Sequence, residues 1–309
     1  MYFSRGYTKE GVWIILPAMN TEYKKRVNSA VDYISRNLDR NLSLEEIAET
    51  ACFSKYHFHR IFKTVTGETV SACVRRLRLE TAANRLLTDP GETITAIAMD
   101  CGFGSSQNFA TVFKKHFGHS PGAFRSSFSL ESWREKSEPV PQADGPENPP
   151  LKMWVTVEEM PAYHMVYKRI TGGYAHQDYE QLFNDFYTWA WERYDSSTSM
   201  PLGVIWDNPD VTPSDQCRYD LGITVPQIVP PEGEMGCQTL AGGKYCVGHC
   251  EVSSYGELER IYDAIYSQWF PDSGYVPGNS VMYEIYLNHP FLHPRQSLLV
   301  DICIPLARI

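Results

Sequence analysis

SLEEIAETACFSKYHFHRIFKTVTG occupies residues 43–67, and TITAIAMDCGFGSSQNFATVFKKHFG occupies residues 93–118. Set one over the other, Ala48 and Phe53 fall on Ala98 and Phe103 at an offset of 50, and Phe58, Phe62, Lys63 and Gly67 fall on Phe109, Phe113, Lys114 and Gly118 at an offset of 51. A repeat of this kind is one supersecondary unit used twice. Within each copy Leu44/Ile47/Ala48 or Ile94/Ile97/Ala98 make the apolar stripe of a short helix, with Ser43 and Thr93 as N-caps and Glu46 completing a capping box. A turn follows at Cys52-Phe53-Ser54 or Gly102-Phe103-Gly104, and the Phe-x3-Phe spacing marks a second helix that stops at glycine. The pattern predicts two helix-turn-helix units joined by one amphipathic helix from about Val70 to Leu87.

Working outward, Val27, Ala30, Val31, Ile34 and Leu38 recur at helical spacing, so residues 21–130 form an all-α domain behind an unassigned extension at 1–20. Residues 138–150 (EPVPQADGPENPP) hold five prolines, and 131–150 is expected to be a solvated linker between independently folding halves. The chain of 309 residues suits two domains, and its 43% apolar content suits packed cores. No apolar run approaches the length of a membrane helix, and the chain is expected in the cytoplasm without a membrane partner. Eight cysteines are too sparse for a disulfide scaffold and are read as reduced. The net charge of -9 divides unevenly, +2 for residues 1–150 and -11 for residues 151–309. Only the first half therefore tolerates a polyanion.

If Phe58, Ile61, Phe62 and Val65 face the core, the opposite face of the second helix presents Lys55, Tyr56, His59, Arg60 and Lys63. Such a face suits a DNA major groove. Arg60 can bind guanine in bidentate fashion, His59 can meet a base edge, Tyr56 can pack on a thymine methyl, and Lys55 and Lys63 can neutralise phosphates. The second copy offers Ser106, Gln107, Thr111 and Lys114, a nearly uncharged face suited to backbone contacts and shape readout. Residues 151–309 instead read as an α+β domain: strands at Tyr163–Ile170, Gly222–Val225, Tyr245–Val252, Val281–Leu287 and Ser297–Ile304, with helices at Gln177–Tyr194 and Tyr255–Trp269. Ile205-Trp206-Asp207-Asn208-Pro209 sits over Tyr286-Leu287-Asn288-His289-Pro290, which gives two pseudo-symmetric β-α-β-β repeats. Strand alternation puts Met282, Glu284 and Tyr286 on one face, and an inward carboxylate there needs a partner. An organic cation is one such partner, with Trp206, Tyr286, Tyr163, Tyr167 and Trp269 as candidate aromatic walls. Cys246, His249 and Cys250 do not make a metal site, because strand geometry holds the two thiols about 13 Å apart.

Tyr23 to Phe128 resembles the AraC/XylS family of transcription regulators, most specifically through Gly118-His119-Ser120-Pro121-Gly122-Ala123-Phe124-Arg125. Lys152 to Ile309 resembles the GyrI-like effector-binding domain, through Tyr283-Glu284-Ile285-Tyr286-Leu287-Asn288 with Pro290. The resemblances imply a ligand-responsive regulator without enzyme activity or cofactor. Its implied partners are double-stranded promoter DNA, a small organic effector and RNA polymerase. They also imply that Glu284 lies at the floor of a multispecific pocket. Two alternatives for the C-terminal half are a small-molecule hydrolase using Glu284 with Tyr286 or Tyr255, and a protein-binding module.

Overall fold

The computed structural model describes residues 7–8, 11–12, 21–89, 91–127, 151–172, 179–209, 211–253, 255–288 and 297–308. The proline-rich linker, most of the 1–20 extension, and His289 with Pro290 lie outside the described residues. Strands β1 (Tyr7–Thr8) and β2 (Gly11–Val12) pair with each other. Seven helices follow: α1 (Thr21–Arg36), α2 (Leu44–Thr50), α3 (Lys55–Thr66), α4 (Val70–Thr88), α5 (Ile94–Asp100), α6 (Ser106–Phe117) and α7 (Pro121–Ser127).

Local chemistry explains these boundaries. Ser43 Oγ accepts from the Glu46 N–H at 3.1 Å and Thr93 Oγ1 from the Ala96 N–H at 3.1 Å, which are the expected N-caps. Gly67 and Gly118 end α3 and α6 in the left-handed conformation, at φ +79° and +77°. Gly102 also has positive φ, and a Cβ there would lie 2.2 Å from the Leu38 carbonyl oxygen; in the first copy Cys52 takes the strained conformation instead, at φ +54°. Phe58 and Phe62 are buried with Ile47, Ala48 and the α1 residues Val27, Ala30 and Ile34. Phe109 and Phe113 are buried with Ile97, Ala98 and Phe124. Helix α4 enters both cores, Val70, Cys73 and Leu77 in the first and Leu79, Ala82, Ala83 and Leu86 in the second.

The second half is a nine-stranded sheet with helices α8 (Tyr179–Trp191) and α9 (Tyr255–Ala264) on one face. The strands are β3 (Lys152–Met160), β4 (Tyr163–Thr171), β5 (Pro201–Ile205), β6 (Arg218–Val225), β7 (Gly236–Leu240), β8 (Gly243–Val252), β9 (Tyr275–Pro277), β10 (Met282–Tyr286) and β11 (Leu298–Arg308). Their order is β3-β8-β11-β10-β5-β6-β4-β7, with β9 added to β11. The expected repeats are β4-α8-β5-β6 and β8-α9-β10-β11, meeting at the antiparallel pair β5–β10. Edge strands are exchanged: β3 leads into β4 but pairs with β8, and β7 leads into β8 but pairs with β4. Helix α9 runs on through a π turn at Ile265–Trp269 and the short α10 (Phe270–Ser273).

The two halves meet across the sheet face opposite α8 and α9. Arg169 of β4 donates from Nη1 to Asp32 Oδ1 of α1 at 2.6 Å, and from Nε and Nη2 to both oxygens of Asp220 at 2.7 Å. Tyr167 Oη donates to Asp32 Oδ2, while Arg218 Nη1 donates to Ser35 Oγ at 3.1 Å. The Arg169 side chain is 2% exposed. The two halves, expected to fold independently, share this buried ion-pair joint in the folded chain.

Helix α4 carries a second buried charge, Glu80, 3.0 Å from Arg76. Burial outweighs that attraction and pushes the Glu80 carboxyl up from its ordinary 4.5 to about 7. The folded chain then keeps this proton over a range in which the unfolded chain has lost it, so stability falls as pH rises from about 4.5 to about 7 and is level above. The fall is at most about 3 kcal/mol. Urea midpoints followed from about pH 5 to about pH 8 should show this decline in the parent, and Glu80→Gln should remove its share.

Candidate nucleic-acid interface and buried glutamate site

Helix α3 spans the predicted residues and turns the predicted side outward. Phe58 and Phe62 are fully buried, whereas His59, Arg60 and Lys63 are exposed and Tyr56 is 78% exposed. A large aromatic held in water on a basic face is a group waiting for a surface. Lys55 is partly neutralised by Glu45 at 2.5 Å, so it offers less charge than the spacing suggests. On α6, Gln107, Thr111 and Lys114 are exposed and Ser106 is half-buried. The Thr111 hydroxyl donates to the Gln107 carbonyl at 3.0 Å, and its one proton is already committed. Ser105, not Ser106, caps the helix. A cleft between the two units is lined by His59, Arg75, Arg78 and Asn108. Arg78 is tied to the Leu38 and Arg40 carbonyls, but Arg75 is exposed and joins the basic face. Sequence reading missed it because α4 carries core residues around most of its circumference.

Glu284 sits on β10, a central strand flanked by β11 and β5, and is 5% exposed. Alternation holds as expected: Met282 and Tyr286 pack with the helix-side core, Tyr283 and Ile285 with the opposite side. The carboxylate is satisfied by two phenols, Tyr262 Oη donating to Oε1 at 2.8 Å and Tyr286 Oη to Oε2 at 2.6 Å. Tyr286 has one proton and gives it to Glu284, so Tyr219, whose hydroxyl lies 2.5 Å away, donates to Tyr286. Burial pushes the Glu284 carboxyl upward, with the hydrogen bonds from Tyr286 and Tyr262 opposing it. Tyr262 and Tyr219 were missed in the sequence. Tyr262 was within reach, because Tyr262, Tyr266 and Trp269 recur at i, i+4 and i+7 on one predicted helix.

Three of the expected aromatic walls lie elsewhere. Tyr163, Tyr167 and Trp206 all face the side of the sheet away from Glu284: Tyr163 packs edge-on against Tyr283, Tyr167 bonds Asp32, and the Trp206 Nε1–H donates to Asp220 at 2.7 Å. Trp269 is on the Glu284 side, where it packs on Phe270. Cys246 and Cys250 face the helices, whereas His249 faces the other side and bonds Asp301 at 2.8 Å. The side chain of Tyr255 lies outside the described residues.

Two tandem helix-turn-helix units with a basic reading helix, and a pseudo-symmetric sheet domain built around a buried glutamate, define a two-domain regulator type. A helix-turn-helix domain family matches residues 47–127, and the GyrI-like small molecule binding domain family matches residues 153–307. Regulatory protein SoxS of Salmonella typhimurium is 32% identical over 103 residues, which are 33% of this chain and 95% of SoxS. Transcriptional regulator Rob of the same organism is 32% identical over 162 residues, 50% of this chain and 54% of Rob. The uncharacterized HTH-type transcriptional regulator YbfP of Bacillus subtilis is 38% identical over 121 residues, 37% of this chain and 40% of YbfP. The chain thus spans about half the length of YbfP and Rob. It belongs to the AraC-type helix-turn-helix regulators, and its C-terminal half to the GyrI-like domains.

Gly203 pairs with Glu284 in the β5–β10 ladder and leaves room for the Tyr219 ring; a Cβ there would lie 2.0 Å from Tyr219 Oη and 2.6 Å from its Cζ. Gly203→Ala should therefore cost about 1 to 3 kcal/mol by overpacking, read from urea or thermal unfolding. Adding Tyr219→Ala to Gly203→Ala should cost less than the two single changes summed, because one change relieves the other.

Proposed function

We propose that this chain reads promoter DNA chiefly through α3, with α6 supplying backbone contacts, and that its GyrI-like half senses a small aromatic or amphipathic organic cation at Glu284. The observation that carries the sensing half is a buried carboxylate that two phenols hold. Phenol donors hold a carboxylate but do not neutralise it. A cation that replaces them supplies both charge and aromatic contact, since Tyr262, Tyr286 and Tyr219 already surround the position. Two reading helices in one polypeptide suit binding as a monomer over two major-groove segments. RNA polymerase is the partner through which such a regulator acts.

Arg60→Ala should weaken specific DNA binding by about 1 to 3 kcal/mol and relax one base position. Lys63→Ala should weaken all sequences alike and flatten the salt slope, and Thr111→Ala should change little. The site assignment fails if Thr111→Ala abolishes binding while Arg60→Ala leaves it intact. For the effector, calorimetry with a matched cationic and neutral aromatic pair separates charge from shape. A cation should bind at about −8 kcal/mol, lose most of that in Glu284→Gln, and bind less as pH falls through the raised carboxyl value. Equal loss for the neutral ligand would make Glu284 a structural residue.

A further inference from the structure

Consecutive residues of β6 serve opposite faces of the sheet. Tyr219 belongs to the helix side, where it donates to Tyr286 and so extends the chain that ends on Glu284. Arg218 and Asp220 belong to the other side. There Arg218 reaches Ser35 of α1, and Asp220 holds Arg169, which in turn holds Asp32 of α1. One peptide unit separates the two faces, in a strand paired on both sides, with β5 and with β4. Beneath Tyr219 there is no slack, because its ring fills the space left by Gly203. Beyond the joint, α1 buries Val27, Ala30 and Ile34 in the core that seats Phe58 and Phe62 of α3.

The joint itself is suited to shifting. A single guanidinium, Arg169, serves two carboxylates, Asp32 at 9% exposure and Asp220 at 0%. Trp206 and Gln238 also donate to Asp220, at 2.7 and 2.9 Å, and Tyr167 donates to Asp32. Negative charge exceeds positive by one within this group, so each carboxylate competes for the same cation. Movement of Asp220 strengthens one contact of Arg169 only by weakening another. Close-packed surroundings convert such a movement into a change of arrangement instead of absorbing it.

We propose that β6 couples the two halves: rearrangement of the Tyr219–Tyr286–Glu284 chain on one face redistributes Arg169 between Asp220 and Asp32 on the other, and so moves α1 and the reading helix α3. This rests on Glu284 being the effector site.

Amide hydrogen exchange on the full chain tests the coupling without any ligand. Tyr286→Phe and Tyr219→Phe remove one hydroxyl each and keep the ring. Each should speed exchange over residues 21–36 by about fivefold or more, in addition to local changes in β5, β6, β10 and α9. In an Asp32→Asn background the same Tyr286→Phe change should produce no further response over 21–36, a non-additivity that a merely local loosening would not show. Should Asp32→Asn fail to fold, Ser35→Ala, which removes only the Arg218 contact, should shrink the response. Changes confined to the C-terminal half overturn the coupling. A second arm uses tetraphenylphosphonium, a bulky aromatic cation, followed by calorimetry and exchange. Binding that is lost in Glu284→Gln, with residues 21–36 unmoved, overturns the coupling and leaves the effector reading standing. Absence of binding counts against the effector reading for this cation, and the ligand-free arm decides the coupling regardless.

Discussion

The guanidinium of Arg169, 2% exposed and held between Asp32 and Asp220, constrains everything around it. A buried cation without partners costs several kcal/mol, so the surrounding residues are those that can donate to its carboxylates or lie against its plane. Trp206 does both, donating to Asp220 with the Arg169 guanidinium 5.6 Å from its ring centroid, and Tyr167 lies at 5.2 Å. Their rings are therefore taken up by the domain joint and are absent from the Glu284 side. The same requirement brings α1 of the DNA-binding half onto the sheet, because Asp32 is the second carboxylate the arginine needs.

Much of this architecture was legible because its determinants are local. The tandem repeat, the Ser43 and Thr93 caps, the glycine stops at 67 and 118 and the outward face of α3 follow from helical periodicity and cap chemistry within short windows. Strand alternation likewise put Glu284 and Tyr286 together correctly. It could not place Tyr163, Tyr167 or Trp206, because alternation relates residues along one strand and is silent on which side of the sheet a neighbouring strand turns that set. A usable signal existed. Arg169 in β4 and Asp220 in β6 are opposite charges inside strands that are otherwise largely apolar, Tyr167 shares the parity of Arg169, and inward charges of opposite sign demand each other. Pairing them would have moved Tyr167 off the pocket. The edge strands β3 and β7 escaped for a different reason: each pairs with the repeat that does not contain it.

The two helix-turn-helix units share a fold but not an outer surface. Their cores use the same positions of the repeat, Ile47, Ala48, Phe58 and Phe62 in one and Ile97, Ala98, Phe109 and Phe113 in the other, since packing a short helix against its partner leaves few options. Their outer faces are free of that constraint and have diverged, one to Tyr56, His59, Arg60 and Lys63, the other to Gln107, Thr111 and Lys114. Helix α4 lies in both cores, so the units are fixed relative to one another; the first meets the sheet through α1, and the second meets the C-terminal half through Val211, which packs into its core, and through Thr88, 3.2 Å from Asn279. The charged contacts described at the joint, those of Asp32 and Ser35, all belong to α1 and so to the first unit.

Whether the joint can carry a signal is a question of energy as well as geometry. Removing one partner from a buried ion pair costs about 3 to 5 kcal/mol, and coupling between sites in proteins typically amounts to about 1 to 3 kcal/mol. A joint in which one arginine is traded between two carboxylates needs to lose only part of one pair to supply that coupling. An apolar seam of the same area would be as stable but indifferent to small displacements, because dispersion contacts lack direction and fall away gradually. Hydrogen-bonded charges lose strength steeply with angle and distance. A buried, over-subscribed arginine is thus a poor choice for stability alone and a good one for a boundary whose two sides must respond to each other.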